Sequence, residues 1–185
     1  MKLFLFIHLL IYSLFAQDHW ETAIFSYDQW KYKVPLEELP SSWKGIEFDD
    51  DTWNENVGGF GYADNDDGTI IDATISVYIR KLFSVSDKSK LNKAVLSADY
   101  DDGFVAYING IEIERSYNLS QPGSFVPFDQ TTEYDHEATM YDNGFPENFI
   151  IDSLKLDSVL VEGTNILAIQ VHNVDISSSD MSSNF

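Results

Sequence analysis

The sequence predicts an all-β sandwich, and three observations carry that prediction. Strand-type alternation of apolar and polar residues dominates from the middle of the 185-residue chain onward. An Asn-Gly pair sits between two such runs, which is the signature of a tight hairpin. No window shows an apolar stripe at helical spacing long enough to define a helix. With 44% hydrophobic and 15% aromatic residues, the chain is long enough to bury one real core. It has no cysteine, so that core, aided by any metal the chain binds, has to supply the stability.

Taken in order, Thr74 to Phe83 places Ile75, Val77, Ile79 and Phe83 on one face and Ser76, Tyr78, Arg80 and Leu82 on the other. A second run follows at Ala94 to Tyr100. Asn109 and Gly110 both tolerate positive φ, so they close a hairpin between Phe104 to Ile108 and Ile111 to Arg115. Phe149 to Leu156 reads as another strand. After a turn at Gly163, Asn165 to Val174 sets Leu167, Ile169 and Val171 inward and Ala168, Gln170 and His172 outward. Two regions resist the pattern, Trp43 to Asp72 and Asn118 to Pro146, and read as long ordered loops. Connections of that length are functional or are pinned by a ligand or ion, so binding residues are sought there.

The first sixteen residues put Lys2 beside an apolar run that ends at the small residue Ala16, the layout of a secretory signal cleaved before Gln17. The run is shorter than the roughly 20 apolar residues a bilayer requires, so export is favoured over membrane anchoring. A secreted or cell-surface location follows as an expectation, with residues 17–185 as the sandwich. Because no closing strand is evident before Phe185, the sequence reads as the N-terminal part of a longer protein.

A net charge of −20 argues against nucleic acid and anionic lipid as partners and favours capture of divalent cations. Asp49, Asp50, Asp51, Asp64, Asp66 and Asp67 place six carboxylates on two loops around a glycine-rich stretch. Hard oxygen ligands of this kind suit Ca²⁺, and Asp49, Asp51, Asp64, Asp66 and Asp67 are the candidate ligands. The competing reading is that these acids cap turns and face water. No EF-hand spacing is present, and Asp99, Asp101 and Asp102 read as turn-forming acids that bond their own backbone.

Sugar recognition needs an aromatic face flanked by carboxylate, amide or guanidinium groups. Trp53, Tyr62 and Tyr141, on the loops, are the candidate platforms, with His136 and Glu137 as polar partners that could meet His172 and Asn173 in space. Most large aromatics in a sandwich are core, which is the alternative for each. Motifs for serine-hydrolase, zinc-protease and phosphate-loop chemistry are absent, and cysteine-dependent catalysis lacks its nucleophile. Carboxylate-pair hydrolysis stays open. Asn118-Leu119-Ser120 matches a glycosylation sequon and reads as chance.

The segments FDDDTW (48–53), GGFGYAD (58–64), SVYIRKLF (76–83), DYDDGFVAYINGIEIER (99–115), DHEA (135–138) and GTNILAIQVHN (163–173) resemble one recurring module. It is the galactose-binding-like jelly-roll β-sandwich of exported Bacteroidetes-type multidomain proteins, which is also similar to the sugar-binding domain of family 2 glycosidases. The resemblance implies a non-catalytic accessory role, commonly carbohydrate binding and often with structural calcium. The alternatives are a structural or adhesive spacer, and the N-terminal part of a polysaccharide-degrading enzyme. The expected partners are a glycan or neighbouring domains of the same polypeptide.

Overall fold

The computed structural model describes residues 19–63 and 67–185. The expected leader at 1–16 and the candidate ligands Asp64 and Asp66 lie outside the described residues. Among the described residues, eleven strands build the fold: β1 (Gln29–Lys33), β2 (Asn54–Val57), β3 (Phe60–Gly61), β4 (Thr69–Ile70), β5 (Ser76–Val85), β6 (Lys93–Tyr100), β7 (Gly103–Ile108), β8 (Ile111–Arg115), β9 (Glu147–Asp152), β10 (Gly163–His172) and β11 (Ser183–Asn184). The larger sheet is antiparallel with order β2-β1-β5-β10-β7-β8, and the smaller has order β11-β6-β9. The two pack face to face, so the fold is the all-β sandwich that the sequence predicts. Among the described residues, no helix is long and apolar enough to cross a membrane.

Between the sheets, Val77 and Ile79 of β5, Phe104 and Ala106 of β7, and Leu167, Ile169 and Val171 of β10 meet Leu96, Ala98, Tyr100 and Ile151 of the smaller sheet. The predicted hairpin forms with Ile108 opposite Ile111, and Asn109 (φ 51°) and Gly110 (φ 86°) both take the left-handed conformation the turn requires. Asn109 does more than turn the chain. Its amide nitrogen donates to the Val159 carbonyl and to Asn165 Oδ1, and its Oδ1 accepts the Ile166 N–H.

Three expectations are corrected. The face of the larger sheet assigned to solvent is also buried: Tyr78, Ala168, Gln170 and His172 lie beneath a second apolar cluster containing Trp43, Trp53, Leu119 and Val126. Loops, rather than water, cover that face. Phe149 to Leu156 is not one strand, because Asp152 caps a helix, α1 (Ser153–Val159), by accepting the Lys155 N–H. And the 43–72 region, read as a loop, contains the short strands β2, β3 and β4.

Candidate functional site

Two arginines that alternate into the loop-covered face hold those loops in place. Arg80, only 2% exposed, reaches Asp50 at 2.7 Å through Nε and donates to the carbonyls of Trp43 and Gly45. Arg115 grips both oxygens of Glu112 (3.0 and 2.8 Å) and donates to the carbonyls of Leu119 and Ser124. It thereby stitches the 116–124 loop onto the edge strand β8. The result is a cleft of about 360 Å³ lined by Arg115, Ser116, Tyr117, Ser120, Gln121 and Pro122. A second cleft of about 390 Å³ continues along β8 past Ile111, Ile113 and Glu114 to Lys155.

Tyr117 stands at 69% exposure beside this cleft, with the Tyr134 ring (43% exposed) 5.5 Å away. Buried Asn118 places both rings. Its Nδ2 donates to the carbonyls of Tyr134 (2.7 Å) and Asp102 (3.2 Å), and its own carbonyl accepts the Glu133 N–H. An asparagine so enclosed and so engaged is not presented as a glycan acceptor, which agrees with reading its sequon as chance.

Beyond Tyr134 the same loop meets the corner between β6 and β7. Asp99 accepts the N–H groups of Thr139 (2.8 Å) and Met140 (2.9 Å), and Asp102 accepts those of His136 (2.8 Å) and Val174 (2.6 Å). These acids therefore bond remote backbone, not their own turn, which corrects the sequence reading. Asp101 behaves differently: its carboxyl neighbours are acids. Carboxylate oxygens of Asp101, Glu137 and Asp180 all lie within 4.8 Å of one another. Burial, followed by the adjoining Asp102 carboxyl and then Asp180 and Glu137, pushes Asp101 up to about 9. Partial burial and the charges of Asp180, Asp102 and Asp135 also raise Glu137. This acidic triad, with Asp101 buried, Asp180 half-buried and Glu137 exposed, could hold a metal ion, since it offers three hard oxygen donors in one place.

The sequence-predicted residues are distributed unevenly about this site. Glu137 belongs to the triad. Tyr62 lies at its margin, accepting from Asn173 Nδ2 at 2.8 Å, and burial followed by the charges of Asp101, Asp180 and Asp102 raises its phenol against that bond's opposite pull. His136 stacks flat on Tyr100 (4.2 Å, 2°) and spends its ring nitrogens on the Tyr100 carbonyl and Glu147, while His172 bonds the Gln130 carbonyl, so the two histidines have separate partners. Tyr141 is half exposed on a single 3₁₀ turn, Met140–Asp142. Trp53 is 6% exposed and packs edge-on against Phe48 under the Arg80 guanidinium, so its ring faces are closed to a ligand. Asp49 accepts the Asp51 N–H in a local turn, and Asp67 lies beside Gly61. Among the described residues, the acids brought within reach of a single ion are Asp101, Glu137 and Asp180 instead.

No family model and no curated protein matches the chain. Among solved structures it is similar to a β-glucuronidase from glycoside hydrolase family 2 (21% identity, TM-score 0.45, covering 80% of this chain and 13% of that one). Bifidobacterium dentium β-glucuronidase complexed with coumarin-3-O-glucuronide is similar at 16% identity and a TM-score of 0.44, over 79% of this chain and 19% of that one. Bacteroides uniformis β-glucuronidase shows 14% identity and a TM-score of 0.47, over 88% and 17% respectively. The chain thus spans less than a quarter of each of these proteins, and the functional reading below is built on its own geometry.

Proposed function

We propose that this chain is a non-catalytic, extracellular accessory module of a larger protein, and that it binds carbohydrate in the cleft beside Tyr117. The observation that carries the reading is the pairing of two exposed tyrosine rings with a cleft that also presents Ser120 and Gln121. An aromatic face takes the C–H side of a sugar, and hydroxyl and amide groups take its hydroxyls. The run of clefts along β8 suits an extended chain better than a compact small molecule, because it is shallow and follows a strand edge. Export is supported by the apolar segment ending at Ala16.

A calcium ion held by Asp101, Glu137 and Asp180 forms the second part of the reading. Three clustered carboxylates of a strongly acidic chain match a hard cation and give a softer metal no nitrogen or sulfur ligand. A spacer role is the runner-up, favoured by Val95 and Ile150, which sit opposite each other on the smaller sheet with both side chains exposed, as a domain-docking face requires.

Affinity gel electrophoresis through galactan, xylan or xyloglucan tests the reading. Retardation that Tyr117→Ala abolishes supports carbohydrate binding. Mobility indifferent to every polysaccharide favours the spacer, and release of reducing sugar would show catalysis.

A further inference from the structure

Of the residues that line the cleft beside Tyr117, Arg115 alone carries a charge, and that charge is already spent. A guanidinium has five N–H bonds, and each of these has an acceptor within the protein. Nε and one Nη2 hydrogen take the two oxygens of Glu112, and the other Nη2 hydrogen takes the Ser124 carbonyl at 2.8 Å. Nη1 donates to the Leu119 carbonyl at 2.9 Å and to the Ser124 hydroxyl at 3.2 Å. The side chain is 2% exposed and its charge is offset by Glu112. The Gly123 N–H, on the same loop, is also taken by Glu112 Oε2. An arginine that reads in the sequence as an anion anchor therefore has no donor left for a ligand.

The groups that remain for a ligand are neutral or acidic. Ser120 accepts from Gln130 Nε2 and keeps its O–H to donate, and Gln121 adds an amide. Tyr134 is flanked by Glu133 and Asp135, both exposed, and the Glu133 N–H is fixed on the Asn118 carbonyl at 2.9 Å. Further along β8, Lys155 shares its cleft with Glu114, so the cation there is balanced by an acid. A carboxylate brought to Tyr134 would lose water, find no cation, and meet two like charges, whereas a sugar hydroxyl would exchange one neutral hydrogen bond for another.

We infer that the Tyr117–Tyr134 cleft takes an uncharged glycan and rejects chains bearing carboxylate or sulfate groups. This rests on the carbohydrate reading above and names the class of ligand within it. The selectivity is built from repulsion: nothing in the cleft improves contact with the neutral chain, and the flanking acids penalise the charged one. Because those acids are exposed, the penalty is greatest at low ionic strength and shrinks with added salt.

Calorimetric titration of the full chain with galactan and xyloglucan, and with the carboxymethylated form of each, tests the inference. At low ionic strength the carboxymethylated form is expected to bind at least about tenfold more weakly than its parent, and 0.5 M NaCl, used as the high-salt arm at a Debye length of about 4 Å, should narrow that gap. Asp135→Lys should narrow it at least about threefold, while Glu55→Lys, the same change of charge on β2 at the opposite edge of the larger sheet, should leave it unchanged. A carboxymethylated chain that binds as well as its parent overturns the inference and leaves the carbohydrate reading standing. Equal narrowing by the two variants also overturns it, because the selectivity would then belong to the charge of the whole molecule. Absence of binding to either parent polysaccharide overturns the carbohydrate reading, and the inference falls with it.

Discussion

His172 supplies a prediction whose size can be worked from its surroundings. The imidazole is fully buried, and because its Nδ1 lies 2.7 Å from the Gln130 carbonyl, that nitrogen carries the proton. Nε2 is left buried with no partner, so a second proton would create an uncompensated charge. Burial outweighs the Gln130 bond and depresses the group to about 4, from 6.5. The unfolded chain therefore binds a proton between pH 6.5 and 4 that the folded chain refuses. Stability contributed by neutral His172 is fully present above pH 6.5 and is lost as the pH falls through about 4. At about 1.4 kcal/mol per pH unit, the loss comes to about 3 kcal/mol. His172→Gln keeps a donor for the Gln130 carbonyl and cannot titrate. Urea unfolding at pH 7.5 and pH 4, for both proteins in EDTA, should show the native chain losing about 3 kcal/mol more than the variant across that interval. Other titrating groups, Asp101 among them, act in both proteins and cancel in the difference. Parallel losses within about 0.5 kcal/mol would refute the claim that His172 is held neutral by its burial.

Three further outcomes follow from the same geometry. Tyr117→Ala and Tyr134→Ala should abolish gel retardation while changing unfolding free energy by less than about 0.5 kcal/mol, whereas Trp53→Ala should cost about 3 to 5 kcal/mol and unfold at lower urea, because only the tryptophan is core. Arg115→Met leaves the half-buried Glu112 carboxylate with the Gly123 N–H and strands the Leu119 and Ser124 carbonyls, so a loss of about 1 to 3 kcal/mol and faster exchange across 116–124 are expected by urea unfolding and hydrogen exchange. Ca²⁺ at about a hundred times its dissociation constant should stabilise the chain by about 2.7 kcal/mol against urea, and Asp101→Asn should remove that gain.

Much of the sandwich was legible because strand alternation and an Asn-Gly turn are local signals. Asn109 and Gly110 specify their own φ, and Val77, Ile79, Ile169 and Val171 declare the inner face by spacing alone. What alternation cannot reveal is whether the second face meets water or loop. Tyr78, Arg80, Gln170 and His172 look like an outer face, and they are buried because Trp43, Trp53 and Leu119 arrive from segments with no periodicity to read. The helix after β9 had a visible signal, Asp152 at the cap position followed by Leu156, Val159 and Leu160 at helical spacing. The apolar pair Ile150-Ile151 masked it. For the site, counting acids along the sequence pointed to Asp49 through Asp67, whereas Asp101, Glu137 and Asp180 come from three distant segments that only the fold brings together. Tyr117 and Tyr134 were missed for the same reason, since neither has a local pattern that distinguishes it from a core tyrosine.

The corner at Asp99 to Asp102 bears on the cation proposed for the acidic triad. Asp99 and Asp102 each receive two backbone N–H groups, which is the ordinary way a buried carboxylate is satisfied. Asp101, between them and nearly as enclosed, receives none among the described residues and faces two more acids. If the corner served only to anchor the 133–140 loop, Asp99 and Asp102 would complete that task, and an alanine or serine at 101 would remove the repulsion at no structural loss. A cation at the proposed site would displace the proton that Asp101 otherwise keeps and would offset the mutual repulsion of the three carboxylates. Asp101→Ala should therefore stabilise the chain in EDTA and destabilise it relative to the native sequence in Ca²⁺. A variant less stable than the native chain in both media would mean that the Asp101 side chain is structural and that the triad has no ion to hold.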